Sequence, residues 1–129
     1  MRVLVVEDAL LVADVIADIL QEYGWHVVGP VPRVQQALAL AQAEPLDGAV
    51  LDVNLAGELC FPVAAELTQR GVPFIFLTGY SSAAVLPREY HSVPRVGKPF
   101  NASELTSVLD AHFRRPPQTA ADGDDSYPD

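Results

Sequence analysis

Short apolar runs recur along this chain. Each is closed by polar residues and separated from the next by a segment of helical period, and no other feature limits the possible folds as strongly. Residues 3–6 are four consecutive aliphatics, three of them β-branched, ended by Glu7 and Asp8, which reads as a buried strand. Val12, Val15, Ile16, Ile19, Leu20 and Tyr23 then fall on one helical face, stopped by Gly24. Residues 26–29 predict a second strand that closes at Gly29-Pro30. A helix around Val34, Leu38 and Ala41 leads to a third strand over 48–53, which contains Asp52. Cys60, Val63, Ala64 and Leu67 mark the next helix, and residues 73–77 a fourth strand running into Thr78-Gly79. Pro87 limits any helix over residues 82–90 to about two turns. A weak fifth strand at 93–96 precedes Lys98, and Asn101 with Glu104 resembles a capping box opening a last helix through Leu105, Val108, Leu109 and His112.

Strand–helix alternation implies a parallel sheet covered on both faces, and right-handed crossovers make it a doubly wound α/β domain. A chain of 129 residues, half of them hydrophobic, suits one domain with a real core. After residue 115 the aliphatic pattern stops, and residues 116–129 read as a disordered acidic tail. Eight basic against 17 acidic residues, net charge −9, leave little from which to build a nucleic-acid-binding face. The N-terminal apolar run is too short for a signal peptide or a membrane span. The single cysteine, Cys60, permits no internal disulfide and fits a reducing, cytoplasmic setting.

Ligands of an open parallel sheet gather at the carboxyl ends of its strands. There this chain carries Glu7 and Asp8, Asp52, Thr78 and, shortly after the fifth strand, Lys98. Brought together, they make a pocket of three carboxylates, a hydroxyl and an ammonium. Desolvated carboxylates repel one another unless a cation joins them, and hard oxygen donors without His or Cys suit Mg²⁺. Asp52, the single acid at the end of a central strand, is the best nucleophile; its attack on phosphorus would give an acyl phosphate. Lys98 and Thr78 would hold phosphoryl oxygens, and Gly79 would leave room for the group. Singly, each residue has an ordinary explanation: Glu7-Asp8 as a helix cap, Asp52 as a solvated acid, Lys98-Pro99 as a turn. Their order at successive strand ends favours a site.

The segments VLVVED, GAVLDVNLAGE, LTGYSS and VGKPF, in this order and spacing, resemble the receiver domains of two-component response regulators across residues 2–113. The resemblance implies a five-stranded parallel sheet of order 2-1-3-4-5 flanked by five helices, within a receiver domain spanning 1–115. It also implies Asp52 as phosphoacceptor and Mg²⁺ held by Asp8, Glu7, Asp52 and the backbone carbonyl of Asn54. Thr78 would be the switch hydroxyl and Lys98 the phosphate-binding lysine, with a cis peptide before Pro99. The donor would be a histidine kinase or a histidine phosphotransfer protein. PFIFLTGY is similar to the signature of single-domain receivers common in alphaproteobacteria, with Leu77 in place of the usual alanine. Arg95 stands where the wider family often has an aromatic, so Tyr80 or the 81–90 region is expected to signal in its place.

The chain past the last helix is too short for an output domain. A stand-alone, cytoplasmic switch is expected, monomeric or weakly dimeric. It would act through a downstream protein or as a phosphate sink, with no nucleic acid or membrane partner and no turnover chemistry of its own. One rival is a small phosphatase or phosphotransferase with an aspartyl nucleophile, which would add a substrate cap and a second acid. The other is a degenerate receiver that no longer takes phosphate, against which the intact set of five side chains argues.

Overall fold

The computed structural model describes residues 1–79 and 86–113. Among the described residues seven strands and four helices follow one another: β1 (Arg2–Val6), α1 (Leu10–Glu22), β2 (His26–Val31), α2 (Val34–Ala43), β3 (Gly48–Asp52), β4 (Asn54–Leu55), β5 (Glu58–Leu59), α3 (Phe61–Gln69), β6 (Phe74–Thr78), β7 (Arg95–Gly97) and α4 (Ala102–Phe113). Five of the strands form one sheet of order β2-β1-β3-β6-β7, paired in parallel throughout. That is the 2-1-3-4-5 order expected, once the small antiparallel β4–β5 hairpin is set aside.

Alternation along each strand divides the core into two layers. Leu4 and Val6 of β1, Leu51 of β3 and Phe76 of β6 face α2 and α3, whereas Val3, Val5, Val50 and Ile75 face α1 and α4. Every residue of β3 and β6 is buried, so these strands read as unbroken apolar runs rather than alternating ones. Each aliphatic or aromatic side chain taken from water contributes roughly 1.5–3 kcal/mol before entropy is counted. Cys60 lies in the first layer with no exposure, and burial pushes its thiol up to about 12; it packs as a small hydrophobe.

Three differences from the sequence reading stand out. The expected fifth helix, between β6 and β7, is absent among the described residues, where only a 3₁₀ turn at Arg88–Tyr90 stands. Pro87 precedes that turn, and proline disfavours helix both at itself and at the residue before it. Tyr90 instead packs among Phe61, Phe74 and Phe76, stacking on Phe61 at 5.6 Å between centroids. Strand β2 runs on to Val31 through a cis Gly29–Pro30 bond. Gly29 has φ +97°, and a Cβ there would sit 3.0 Å from the Val5 carbonyl, so the close approach requires glycine. On α1, Val15 and Tyr23 are 50% and 43% exposed, and the buried stripe is Ala13, Ile16, Ile19 and Leu20. The 116–129 tail, the Arg114-Arg115 pair, Tyr80 and residues 81–85 lie outside the described residues.

Candidate functional site

Parallel pairing puts the carboxyl ends of β1, β3, β6 and β7 along one edge. Glu7 and Asp8 follow β1, Asp52 ends β3, Thr78 ends β6, and Lys98 follows β7 directly. The edge is held in register by Val53 N–H donating to the Leu77 carbonyl (3.1 Å) and Lys98 N–H to the Thr78 carbonyl (2.8 Å). After Lys98 the chain turns through the expected cis bond to Pro99. Asn101 then opens α4 with the predicted reciprocal cap: Glu104 N–H donates to Asn101 Oδ1 (2.8 Å) and Asn101 N–H to Glu104 Oε1 (2.9 Å).

The three acids meet. One carboxylate oxygen each from Glu7, Asp8 and Asp52 lies within 4.8 Å of the others; Glu7 and Asp52 are buried and Asp8 is exposed. Lys98 Nζ reaches both buried acids, 3.0 Å from Glu7 Oε1 and 3.1 Å from Asp52 Oδ2. It donates a hydrogen bond to Asp52 and pairs at the same time with Glu7 Oε1. Glu7 Oε2 accepts from Ala9 N–H (3.0 Å), so part of the ordinary helix-cap role is realised as well.

Burial raises the Asp52 carboxyl to about 7, the Glu7 charge adds to this, and Lys98 opposes it. For Lys98, burial pulls the ammonium down, yet its pairings with Glu7 and Asp52 together outweigh burial and leave its proton held more tightly than usual. The cluster therefore holds more negative charge than its one ammonium neutralises, with two of its three carboxylates buried. That is a ready site for a hard divalent cation.

Above the acids opens a cleft of about 390 Å³ lined by Asp8, Asp52, Asn54, Ala56, Gly57, Gly79 and Lys98. Six of the residues singled out in the sequence thus converge here or directly beneath: Glu7, Asp8, Asp52, Asn54, Gly79 and Lys98. Thr78 is buried at the end of β6 and does not line the cleft. Ala56 and Gly57, the turn of the β4–β5 hairpin, were not foreseen as site residues. The only local signal for them is a small-residue pair between Leu55 and Glu58 in NLAGE.

A doubly wound parallel sheet with an acidic cleft at its carboxyl edge, spanned by a lysine, has that cleft where folds of this class bind their ligands. Residues 3–110 match the model of the response regulator receiver domain, and the chain belongs to that family. It is 35% identical over 120 residues to the transcriptional regulatory protein TcrA of Mycobacterium tuberculosis, covering 90% of this chain and 47% of that protein. To PdtaR of the same species it is 28% identical over 117 residues, covering 88% and 57%. The chain thus spans about half the length of these relatives. The solution structure of SdrG from Sphingomonas melonis is similar, with TM-score 0.77 and 37% identity over 86% of this chain and 94% of that one. The receiver domain of the Pseudomonas aeruginosa sensor histidine kinase PA1611, solved with a magnesium ion in its active site cleft, shares the fold at TM-score 0.69 and 24% identity, covering 87% and 96%.

Proposed function

We propose that this chain is a phosphorylation switch in which Asp52 accepts a phosphoryl group from a histidine kinase or histidine phosphotransfer protein, at a site that binds Mg²⁺. The observation that carries the reading is the meeting of Glu7, Asp8 and Asp52 beneath an open cleft, with Lys98 reaching across two of them. The donor set fits the metal: three carboxylates, all hard oxygen donors, gather their oxygens about a single ammonium. Asp8, Asp52 and the backbone carbonyl of Asn54 would hold the ion, with Glu7 reaching it through water. The bound ion would supply positive charge against the phosphoryl oxygens.

The chain's own residues do the rest. Asp52 presents a carboxylate oxygen to the cleft, and attack forms an Asp52 oxygen–phosphorus bond as the donor's histidine nitrogen departs with the electron pair of the bond that breaks. Lys98 is placed to follow its Asp52 oxygen and pair with the transferred group. Thr78, buried at the adjacent strand end, would signal the event by turning its hydroxyl toward the phosphoryl oxygens, which biases a two-state equilibrium. Gly79 lines the cleft without a side chain to obstruct it.

SdrG, matched over nearly its whole length and also solved in a BeF₃-activated conformation, supports reading the chain as a stand-alone receiver of residues 1–115 with a tail at 116–129, which we place in the cytoplasm. Such a receiver would act through a downstream protein or as a phosphate sink. The test is intact-mass measurement after incubation with Mg²⁺ and a small phosphodonor. One added phosphoryl group is expected in the wild type and none without Mg²⁺ or in Asp52→Ala. An adduct that persists in Asp52→Ala would overturn the assignment.

Mg²⁺ binding should depend on pH. Because burial and Glu7 raise the Asp52 carboxyl to about 7, the metal-free protein holds a proton there below that value, and the ion must displace it. Affinity is expected to be flat above about pH 8 and to fall about tenfold per unit as pH drops below 7. Calorimetric titration at pH 6, 7 and 8 measures this; equal affinity at all three would contradict it.

A further inference from the structure

Arg95 opens β7 at the edge of the sheet, and its side chain has a definite partner: Nη2 donates to the His91 carbonyl at 2.9 Å. That carbonyl follows the 3₁₀ turn of Arg88–Tyr90, which is closed by Tyr90 N–H donating to Pro87 (2.9 Å) and His91 N–H to Arg88 (3.1 Å). The His91 ring is held as well. Its Nε2 lies 3.0 Å from the Leu86 carbonyl, which can only accept, so Nε2 is the donor. Leu86 and Tyr90 are each 6% exposed, and Tyr90 sits in the ring cluster with Phe61, Phe74 and Phe76.

These contacts close a circuit. Arg95 is the register partner of Phe76, the Phe76 ring lies 5.7 Å from that of Tyr90, and Arg95 reaches back to the residue after Tyr90. Segment 86–93 is thereby fastened at one end of the connection from β6 to β7. The other end leaves Thr78, which is paired with Gly97, and passes through Gly79, which lines the cleft. A chain held at both ends carries a displacement at the cleft to its weakest fastening. Leu86 and Tyr90 are held by burial, whereas the Arg95 bond is exposed, where water can take the place of the carbonyl at little cost.

We propose that Arg95 is a latch: its bond to the His91 carbonyl holds segment 86–93 closed in the resting chain, and phosphorylation at Asp52 opens it. The proposal rests on Asp52 being the phosphoacceptor. A ligand that fits the open state binds more weakly the rarer that state is, so weakening the latch tightens binding at a cleft that Arg95 does not line. While the open state stays a minority, the factor gained in opening equals the factor gained in affinity.

The experiment uses the full chain with saturating Mg²⁺ and beryllofluoride, which stands in for the phosphoryl group at Asp52. Fluorine NMR measures the affinity, and hydrogen exchange read by mass spectrometry measures opening of 86–93 with and without beryllofluoride. Wild type is compared with Arg95→Ala, with Arg95→Lys, which keeps the charge and a donor, and with Arg88→Ala, which removes an exposed arginine from the same turn. In resting Arg95→Ala, exchange over 86–93 is expected to rise about fivefold, the scale of one exposed hydrogen bond from a charged donor. Beryllofluoride should bind this variant about fivefold tighter, with Arg95→Lys between it and wild type. In wild type, beryllofluoride itself should speed exchange over 86–93. Loss of a positive charge by itself weakens binding of an anion, so Arg88→Ala should bind no tighter than wild type. Equal or weaker binding by Arg95→Ala overturns the latch even if exchange rises, because Arg95 would then support the turn without coupling it to the site. Equal tightening in Arg88→Ala overturns it too. A wild-type chain that takes up no beryllofluoride overturns the phosphoacceptor reading and the latch with it.

Discussion

Removing the Lys98 ammonium is expected to destabilise the metal-free protein by roughly 2–4 kcal/mol, the scale of breaking a buried ion pair from one side. Lys98 lies 3.0 Å from Glu7 and 3.1 Å from Asp52, whose side chains are 0% and 5% exposed, whereas its own is 24% exposed. In Lys98→Ala both acids stay where the strands hold them, because Glu7 Oε2 is tied to Ala9 N–H and Asp52 is the last residue of a fully buried strand. They would face each other without the charge that now separates them. Asp52 would then hold a proton more tightly still, since Lys98 is what lowers its proton affinity. The loss should shrink when Mg²⁺ is added, because a divalent ion at the same carboxylates offsets the same repulsion. Denaturant melts with and without Mg²⁺ measure this; a variant as stable as wild type in the absence of metal would show that solvent already compensates these acids. Phosphoryl uptake is expected to fall with it, since the group would lose its pairing partner.

Asp52→Asn should do the opposite to stability while abolishing phosphorylation. The carboxyl is raised from 3.8 to about 7 by burial first and the Glu7 charge second. Between those values the folded chain binds a proton that the unfolded chain does not. Stability of the metal-free protein therefore falls as pH rises from about 4 to 7, and the full cost is present above that window. Asparagine is nearly isosteric and uncharged, so it escapes the cost. One pKa unit is about 1.4 kcal/mol, and the variant also gives up the charge of its ion pair with Lys98, so a net gain of roughly 1–3 kcal/mol is expected at pH 8 without Mg²⁺. In melting temperature that is on the order of 4 °C per kcal/mol for a domain of this size. At pH 4 the gain should vanish, and with saturating Mg²⁺ it should reverse. A variant less stable than wild type at pH 8 without metal would show that the Lys98 pairing outweighs burial. Such a site trades stability for chemistry: the charge that makes Asp52 reactive toward phosphorus opposes the fold until a cation joins it.

Much of this arrangement is legible in the amino-acid sequence. Apolar runs of strand length, alternating with segments of helical period, imply a parallel sheet covered on both faces, because a strand buried twice over has no polar face to show. The strand ends then identify Glu7, Asp8, Asp52, Thr78 and Lys98 as neighbours, since parallel strands carry their carboxyl ends to one edge. Local chemistry also settled the reciprocal cap of Asn101 and Glu104, which needs only four consecutive residues.

Tertiary packing decided the rest. Val15 belongs to the helical stripe by spacing but not by burial, because which arc of α1 faces the sheet depends on where Val3, Val5 and Ile75 lie. Continuation of β2 past Pro30 depends on Val5 of a neighbouring strand approaching Gly29. The hairpin at 54–59 is too short to show a period, and it forms because Leu55 finds a place in the core. Whether Thr78 lines the cleft or is buried beside it cannot be read from its place in the chain, and neither can the proton affinity of Asp52. Both depend on how closely side chains distant in sequence crowd one another, and the strength of an electrostatic interaction is set by the distances and the water that the folded structure leaves between charges.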